Sequence, residues 1–353
     1  MVLGLLHRAV DYVLSCLKLD EQVQNREVGW ITVDRNVLTT TSTGKELANS
    51  FTQTGRRIRE QQPLLKKLKL LLLFNPLTEW LDTTHAMRLY MHRKNVKAGR
   101  DEGTPASKQQ INSFVDFYKI KMDDFEPSDT SAYPTFEDFF VRAHKSGSRP
   151  IFAEDDPSRA VVVADSRVVV YETVEQSKKL WIKGLDFSIT NLVMDTRLGA
   201  QFENGAVASF RLSPQDYHRY HSPVSGKIKL FRSMPGDYYQ VDPLAIRSDI
   251  DILGRNARDY IVIESEHLGD VLFVAIGATD VGSVRVHDRW QTAGNEIQKG
   301  EELGVFQFGG SSIIVAFQSG RISFDEDLLS LSKEAIAVDV EVGMSLGRAL
   351  PAH

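Results

Sequence analysis

From Ser148 onward the apolar residues arrive in short β-branched runs, and this pattern restricts the chain to a sheet-rich fold. VVVADSRVVVYETV, GAVASFRLS, YIVIES, VLFVAIGA and SIIVAF are separated by Gly, Pro and Asp, and helix-length periodicity is scarce between them. Such short runs joined by turn residues predict a mostly antiparallel sheet. The alternating Ile336, Val338, Val340 and Val342 read as a final strand.

The earlier part reads differently. Residues 1–20 form an amphipathic helix by spacing, and the Thr-rich stretch TVDRNVLTTTSTG reads as a loop or short strands. PLLKKLKLLLLFNPLTEWLDTTHAMRLYMHRKN carries apolar residues at helical spacing, with Pro63 and Pro76 as starts or breaks. RDEGTPAS (100–107) is a polar loop, INSFVDFYKI another helix and FEDFFVRAH a short one after Pro134. The expectation is an α+β chain: a mostly helical region over 1–125, packed on an antiparallel, β-rich catalytic domain over 126–353.

A chain of 353 residues with 42% hydrophobic content can bury a substantial core. A net charge of −5 with mixed signs argues against a nucleic-acid partner. The single Cys16 permits no internal disulfide and predicts an intracellular location, cytoplasmic or peripherally membrane-associated. No run reaches 18 apolar residues. The basic, apolar LLKKLKLLLLF (64–74) reads either as a core helix with a short lysine face or as a peripheral membrane contact.

Three segments carry chemistry. In EELGVFQFGGSSIIVAF, Gly309 and Gly310 can leave a backbone carbonyl strained and exposed beside the Ser311 hydroxyl. Taken alone, the step reads first as a glycine turn between strands. LSPQDYHRYHSPVSGKI holds His218 and His221 three residues apart, and VVVADSRVVV places Asp165 in a turn between apolar runs. No carboxylate stands at metal-ligand spacing from the two histidines, and no metal site is expected. No lysine follows the Gly-Ser step as a phosphate-binding loop requires.

Together these segments, with FEDFFVR, WIKG, PGDYYQVDPLAI, VLFVAIGATDVGS and FDEDLL, resemble the phosphatidylserine decarboxylase family in the family's own order, from about Pro134 to about Gly347. The resemblance implies a proenzyme that cuts itself between Gly310 and Ser311 into chains 1–310 and 311–353, with Ser311 becoming a pyruvoyl cofactor. It implies His221 as the base, Asp165 as the acid that fixes its tautomer, and His218 as first candidate for proton donor after CO2 leaves, with His221 the competitor. It also implies decarboxylation of an amino-acid moiety through a Schiff base. The default substrate is phosphatidylserine, giving phosphatidylethanolamine.

Ser312 stands where the family usually has Thr, Ser225 where an acid often precedes the glycine, and Ser166 where Gly is commoner. Asp280 stands where an apolar residue is frequent, and a buried carboxylate needs a partner. That partner is either Arg285 or a cation on the substrate. Because some fungal relatives act on free amino acids such as tryptophan, a free amino acid is the alternative to a phospholipid headgroup. A non-catalytic relative and a homodimer are further readings at this stage.

Overall fold

The computed structural model describes residues 31–35, 57–59, 101–180, 188–236, 252–277, 283–307, 311–334 and 336–351. The expected helices over 1–20 and 62–99, the 64–74 segment, Gly309, Gly310 and Asp280 lie outside these residues.

The β-branched runs assemble into one ten-stranded sheet. Along its middle run Gly226–Met234, Arg258–Ser265, Gly269–Ile276, Ser311–Phe317, Ala206–Leu212 and Ser166–Tyr171, each antiparallel to the next. Ala337–Val340 continues the order, as the alternation predicts. Ile31–Asp34 then pairs with it in parallel and receives Arg57–Arg59 on its other side. Arg35 pins this junction, holding Asp325 at 2.9 Å and Asp327 at 2.7 Å.

SIIVAF is continuously apolar because both faces of its strand are covered. Ile313, Val315 and Phe317 pack with Phe210 and Phe273 on one side. Ile314 and Ala316 pack with Val207, Leu272 and the helix Ile189–Val193 on the other. Each such buried Val, Leu, Ile or Phe side chain contributes about 1.5–3 kcal/mol. A small second sheet pairs Glu302–Gln307, the strand just before the central one in sequence, with Ser283–Val286 on one side and Arg219–His221 on the other.

Among the described residues, helices are few and short. Gln110–Tyr118 and Phe136–Phe140 form where the sequence predicts, the latter closed by a reciprocal Thr135–Asp138 capping box. Part of the expected 100–107 loop instead enters a 3-10 helix, Pro105–Gln109, whose start Pro105 pre-sets. Phe136, Phe139 and Phe140 bury themselves with Ile111 and Tyr133. This aromatic cluster supports the histidine segment. Among the described residues no helix is long and apolar enough to cross a membrane.

Candidate active site

Phe306 and Ser311, on either side of residues 308–310, are both tied to one stretch of chain. Ahead of these residues, the Phe306 N–H donates to the His218 carbonyl at 2.9 Å. Behind them, Ser311 opens the central strand directly opposite Leu212. The six residues Ser213–His218 join these two anchors, so strand register carries the histidine segment to both flanks of residues 308–310.

The two serines of the motif differ in their commitments. Ser312 Oγ donates to the Phe210 carbonyl at 3.0 Å, a bond that belongs to the sheet. Ser311 is fully buried, and its Oγ has no hydrogen-bond partner among the described residues. An unsatisfied buried hydroxyl costs about 1–3 kcal/mol, so its presence in a dense core calls for a reason. An oxygen kept for attack on a neighbouring carbonyl is such a reason.

His218 is buried, with its ring 3.9 Å from that of Phe140. Its Nδ1 donates to the Asp216 carbonyl at 2.8 Å, which in the neutral ring leaves Nε2 as the basic nitrogen. Arg142 holds the same loop, its Nη2 donating to the carbonyls of Gln215 at 2.7 Å and Asp216 at 3.3 Å. Its guanidinium lies over Phe125 and Phe139. Burial lowers its pKa to about 10, still cationic at neutrality. The Asp216 carboxylate closes the turn by accepting from the Ser213 N–H at 2.7 Å and from Arg167 at 2.8 Å.

His221 sits at the end of the small-sheet strand. Its Nδ1 donates to the Gly300 carbonyl at 2.8 Å, so the Tyr217 hydroxyl, 3.0 Å from Nε2, is the donor there. Burial lowers the pKa of His221 and keeps it neutral, the state a general base requires. Gly300 is held in a left-handed turn (φ +80°), where an added Cβ would lie 2.4 Å from Ile151.

Asp165 does not reach His221. Its Oδ2 lies 3.2 Å from His144 Nε2 and 2.9 Å from Arg149 Nη2, and Oδ1 accepts the Val342 N–H at 2.8 Å. Burial opposes ionisation, yet the hydrogen bonds from His144 and Arg149 prevail and hold its pKa at about 2. The expected direct contact from Asp165 to His221 is thus replaced by Asp165 on His144 and Gly300 on His221. The Ala143–His144 strand, paired with Phe125–Glu126, holds its imidazole against that carboxylate, while His221 is paired to the Glu302–Gln307 strand of the small sheet.

Sequence reasoning missed His144, Arg149, Tyr217, Arg142 and Gly300 as site residues. Tyr217 and Arg142 lay inside quoted motifs. His144 carried no signal of its own.

A sequence profile of the phosphatidylserine decarboxylase family matches residues 136–348, more than half of the chain and all of the site just described. The chain belongs to the phosphatidylserine decarboxylase family. It is 37% identical over 297 residues to phosphatidylserine decarboxylase proenzyme 3 of Schizosaccharomyces pombe, covering 84% of this chain and 30% of that protein. Against proenzyme 2 of Oryza sativa it is 40% identical over 253 residues, 71% of this chain and 40% of that protein. A Clostridium kluyveri phosphatidylserine decarboxylase proenzyme is 36% identical over 241 residues, 68% of this chain and 79% of that protein. The chain therefore spans well under half the length of these two eukaryotic relatives and most of the length of the bacterial one.

Proposed function

We propose that the chain is a self-processing decarboxylase that removes the α-carboxylate of phosphatidylserine as CO2 and yields phosphatidylethanolamine. The observation that carries the reading is the buried Ser311 hydroxyl, with no hydrogen-bond partner among the described residues, on a strand whose register ties it to the segment that carries His218 and His221. The matching relatives are called phosphatidylserine decarboxylase proenzymes, which supports both the substrate and the processing.

Cutting uses this chain's own groups. Ser311 Oγ attacks the Gly310 carbonyl carbon while its proton passes to an imidazole, His221 in the family pattern. Collapse breaks the C–N bond and leaves an ester, with the nitrogen of residue 311 taking the returned proton. Removal of the Ser311 Cα proton then expels the Gly310 carboxylate. Water converts the dehydroalanine to a pyruvoyl group with loss of ammonia. The products are chains 1–310 and 311–353.

The pyruvoyl carbonyl supplies an electron sink for the carbanion left when CO2 departs. His218, held by Phe140 and the Asp216 carbonyl, lies on the segment flanking residue 311 and is the group assigned to return a proton to the substrate carbon. Dense packing around Ser311 excludes water, which would otherwise protonate that carbon indiscriminately.

Intact-mass analysis of purified protein tests the first half, and a fragment beginning with a blocked residue 311 is expected. CO2 release from serine-headgroup liposomes, set against a panel of free amino acids, tests the second. An uncut but active chain overturns the processing, and release from free amino acids alone overturns the lipid substrate.

A further inference from the structure

His221 has two ring nitrogens, and neither is addressed by a carboxylate. Nδ1–H is taken by the Gly300 carbonyl at 2.8 Å, and Nε2 by the Tyr217 hydroxyl at 3.0 Å. The tyrosine is itself wedged: its ring centroid lies 4.0 Å from that of His144, which stacks on Phe125 at 4.7 Å with an interplanar angle of 15°. His144 is anchored at both nitrogens, by Asp165 Oδ2 at 3.2 Å and by the Asp124 carbonyl at 3.3 Å. Its side chain is only 8% exposed. Arg149 completes the anchor by binding Asp165 at 2.9 Å while also lying 3.6 Å from Glu341 and 3.9 Å from Asp124.

We propose that Tyr217 and His144 form the positioning unit of His221, and that Asp165 orients the base only through them. The proposal rests on the reading of His221 as the base of self-cutting. A carboxylate touching an imidazole fixes its tautomer directly and stabilises its cation. Here the tautomer is fixed by the Gly300 carbonyl, and the ring plane by the Tyr217 hydroxyl. That hydroxyl suits both protonation states, because it donates to a neutral Nε2 and, after rotation, accepts from a protonated one. Asp165, saturated by Arg149, His144 and the Val342 amide, fixes the face of His144 on which Tyr217 rests. Tyr217 and His144 are thus positioning residues.

Two measurements decide it. In time courses of cutting, Tyr217→Phe keeps the wedge and loses the hydroxyl, and should slow the reaction about ten-fold, as loss of one hydrogen bond worth about 1.4 kcal/mol would. His144→Ala loses the wedge and should slow it by a similar factor, whereas His144→Phe keeps the ring and should lose only about three-fold. Because both act on one hydroxyl, Tyr217→Phe combined with His144→Ala should stay near ten-fold rather than reach about a hundred-fold. Nitrogen-15 spectra of histidine side chains in the uncut Ser311→Ala chain read the positioning without any chemistry. There, Tyr217→Phe should move the Nε2 resonance of His221, and Asp165→Asn should move His144 while His221 keeps its Nδ1–H tautomer. A wild-type cutting rate for Tyr217→Phe, multiplied effects in the double variant, or a tautomer switch of His221 in Asp165→Asn would each overturn the proposal. A wild-type chain that never cuts overturns the self-processing reading instead, and the spectra still decide the positioning.

Discussion

Arg142 and His218 meet on one oxygen: the Asp216 carbonyl accepts from Arg142 Nη2 at 3.3 Å and from His218 Nδ1 at 2.8 Å. The guanidinium is buried, and its cost in desolvation is only partly offset: Nη2 reaches two carbonyls and the group lies over two aromatic faces, while Nε and Nη1 have no hydrogen-bond partner among the described residues. Keeping a buried and incompletely satisfied cation is itself costly, so an apolar side chain of similar volume can take its place at little net loss of stability. Arg142→Met should therefore change the melting temperature little but release the carbonyl that sets the His218 tautomer. Turnover by the cut enzyme should fall about ten-fold or more, in keeping with loss of a charge-assisted contact. A large drop in melting temperature with unchanged kcat/KM in the folded fraction would make Arg142 scaffold only.

The two adjacent serines separate chemistry from packing. Ser311→Ala removes the attacking oxygen and should leave one uncut, inactive chain of 39.7 kDa on a denaturing gel. Ser312→Ala removes the bond to the Phe210 carbonyl, costing about 1 kcal/mol of stability, and should still cut. Cutting by Ser311→Ala would transfer the nucleophile to another group and refute the assignment.

Gly300 links backbone shape to the base. At φ +80° a non-glycine residue is strained by about 1–3 kcal/mol, and its Cβ would meet Ile151. Gly300→Ala should lower stability and displace the carbonyl that holds His221 Nδ1, slowing self-cutting beyond the effect on the folded fraction. Adding Ile151→Ala should relieve the clash but not the left-handed strain. Full rescue of the cutting rate by that second change would show that crowding, not backbone geometry, is what matters.

What could be read in the sequence follows from the range of the forces involved. SIIVAF was readable as a strand and FEDFF as a short helix because both signals are local, whereas the covering of both strand faces and the Thr135–Asp138 capping box came with the fold. The Gly-Ser step and the two histidines were singled out by the resemblance of their segments to the family, since taken alone the step reads as a glycine turn and the histidines as an ordinary surface or core pair. The partners of Asp165 and His221 were not, since His144 reaches Asp165 across 21 residues and Gly300 reaches His221 across 79. The parallel pairing of Ile31–Asp34 with Ala337–Val340 was equally hidden, because only the assembled sheet brings those strands together.

The pH dependence of cutting and of stability should have two sources acting in separate windows. Burial lowers the pKa of His221 beneath its ordinary 6.5, so the base stays neutral in solutions acidic enough to protonate a free imidazole. Self-cutting should therefore persist below pH 6.5, with its midpoint at the lowered value. Between that value and 6.5 the unfolded chain binds a proton at this position that the folded chain does not, so stability rises with pH across the window and is lost as pH falls through it. Asp165 acts lower, because its pKa of about 2 lies beneath the ordinary 3.8 and its stabilisation disappears as pH falls from 3.8 toward 2. Urea unfolding of the Ser311→Ala chain from pH 8 to pH 3 should show the first loss, and His221→Asn should flatten the upper window alone. A stability curve unchanged by His221→Asn, or a cutting midpoint at or above 6.5, would mean that His221 is not the buried neutral base.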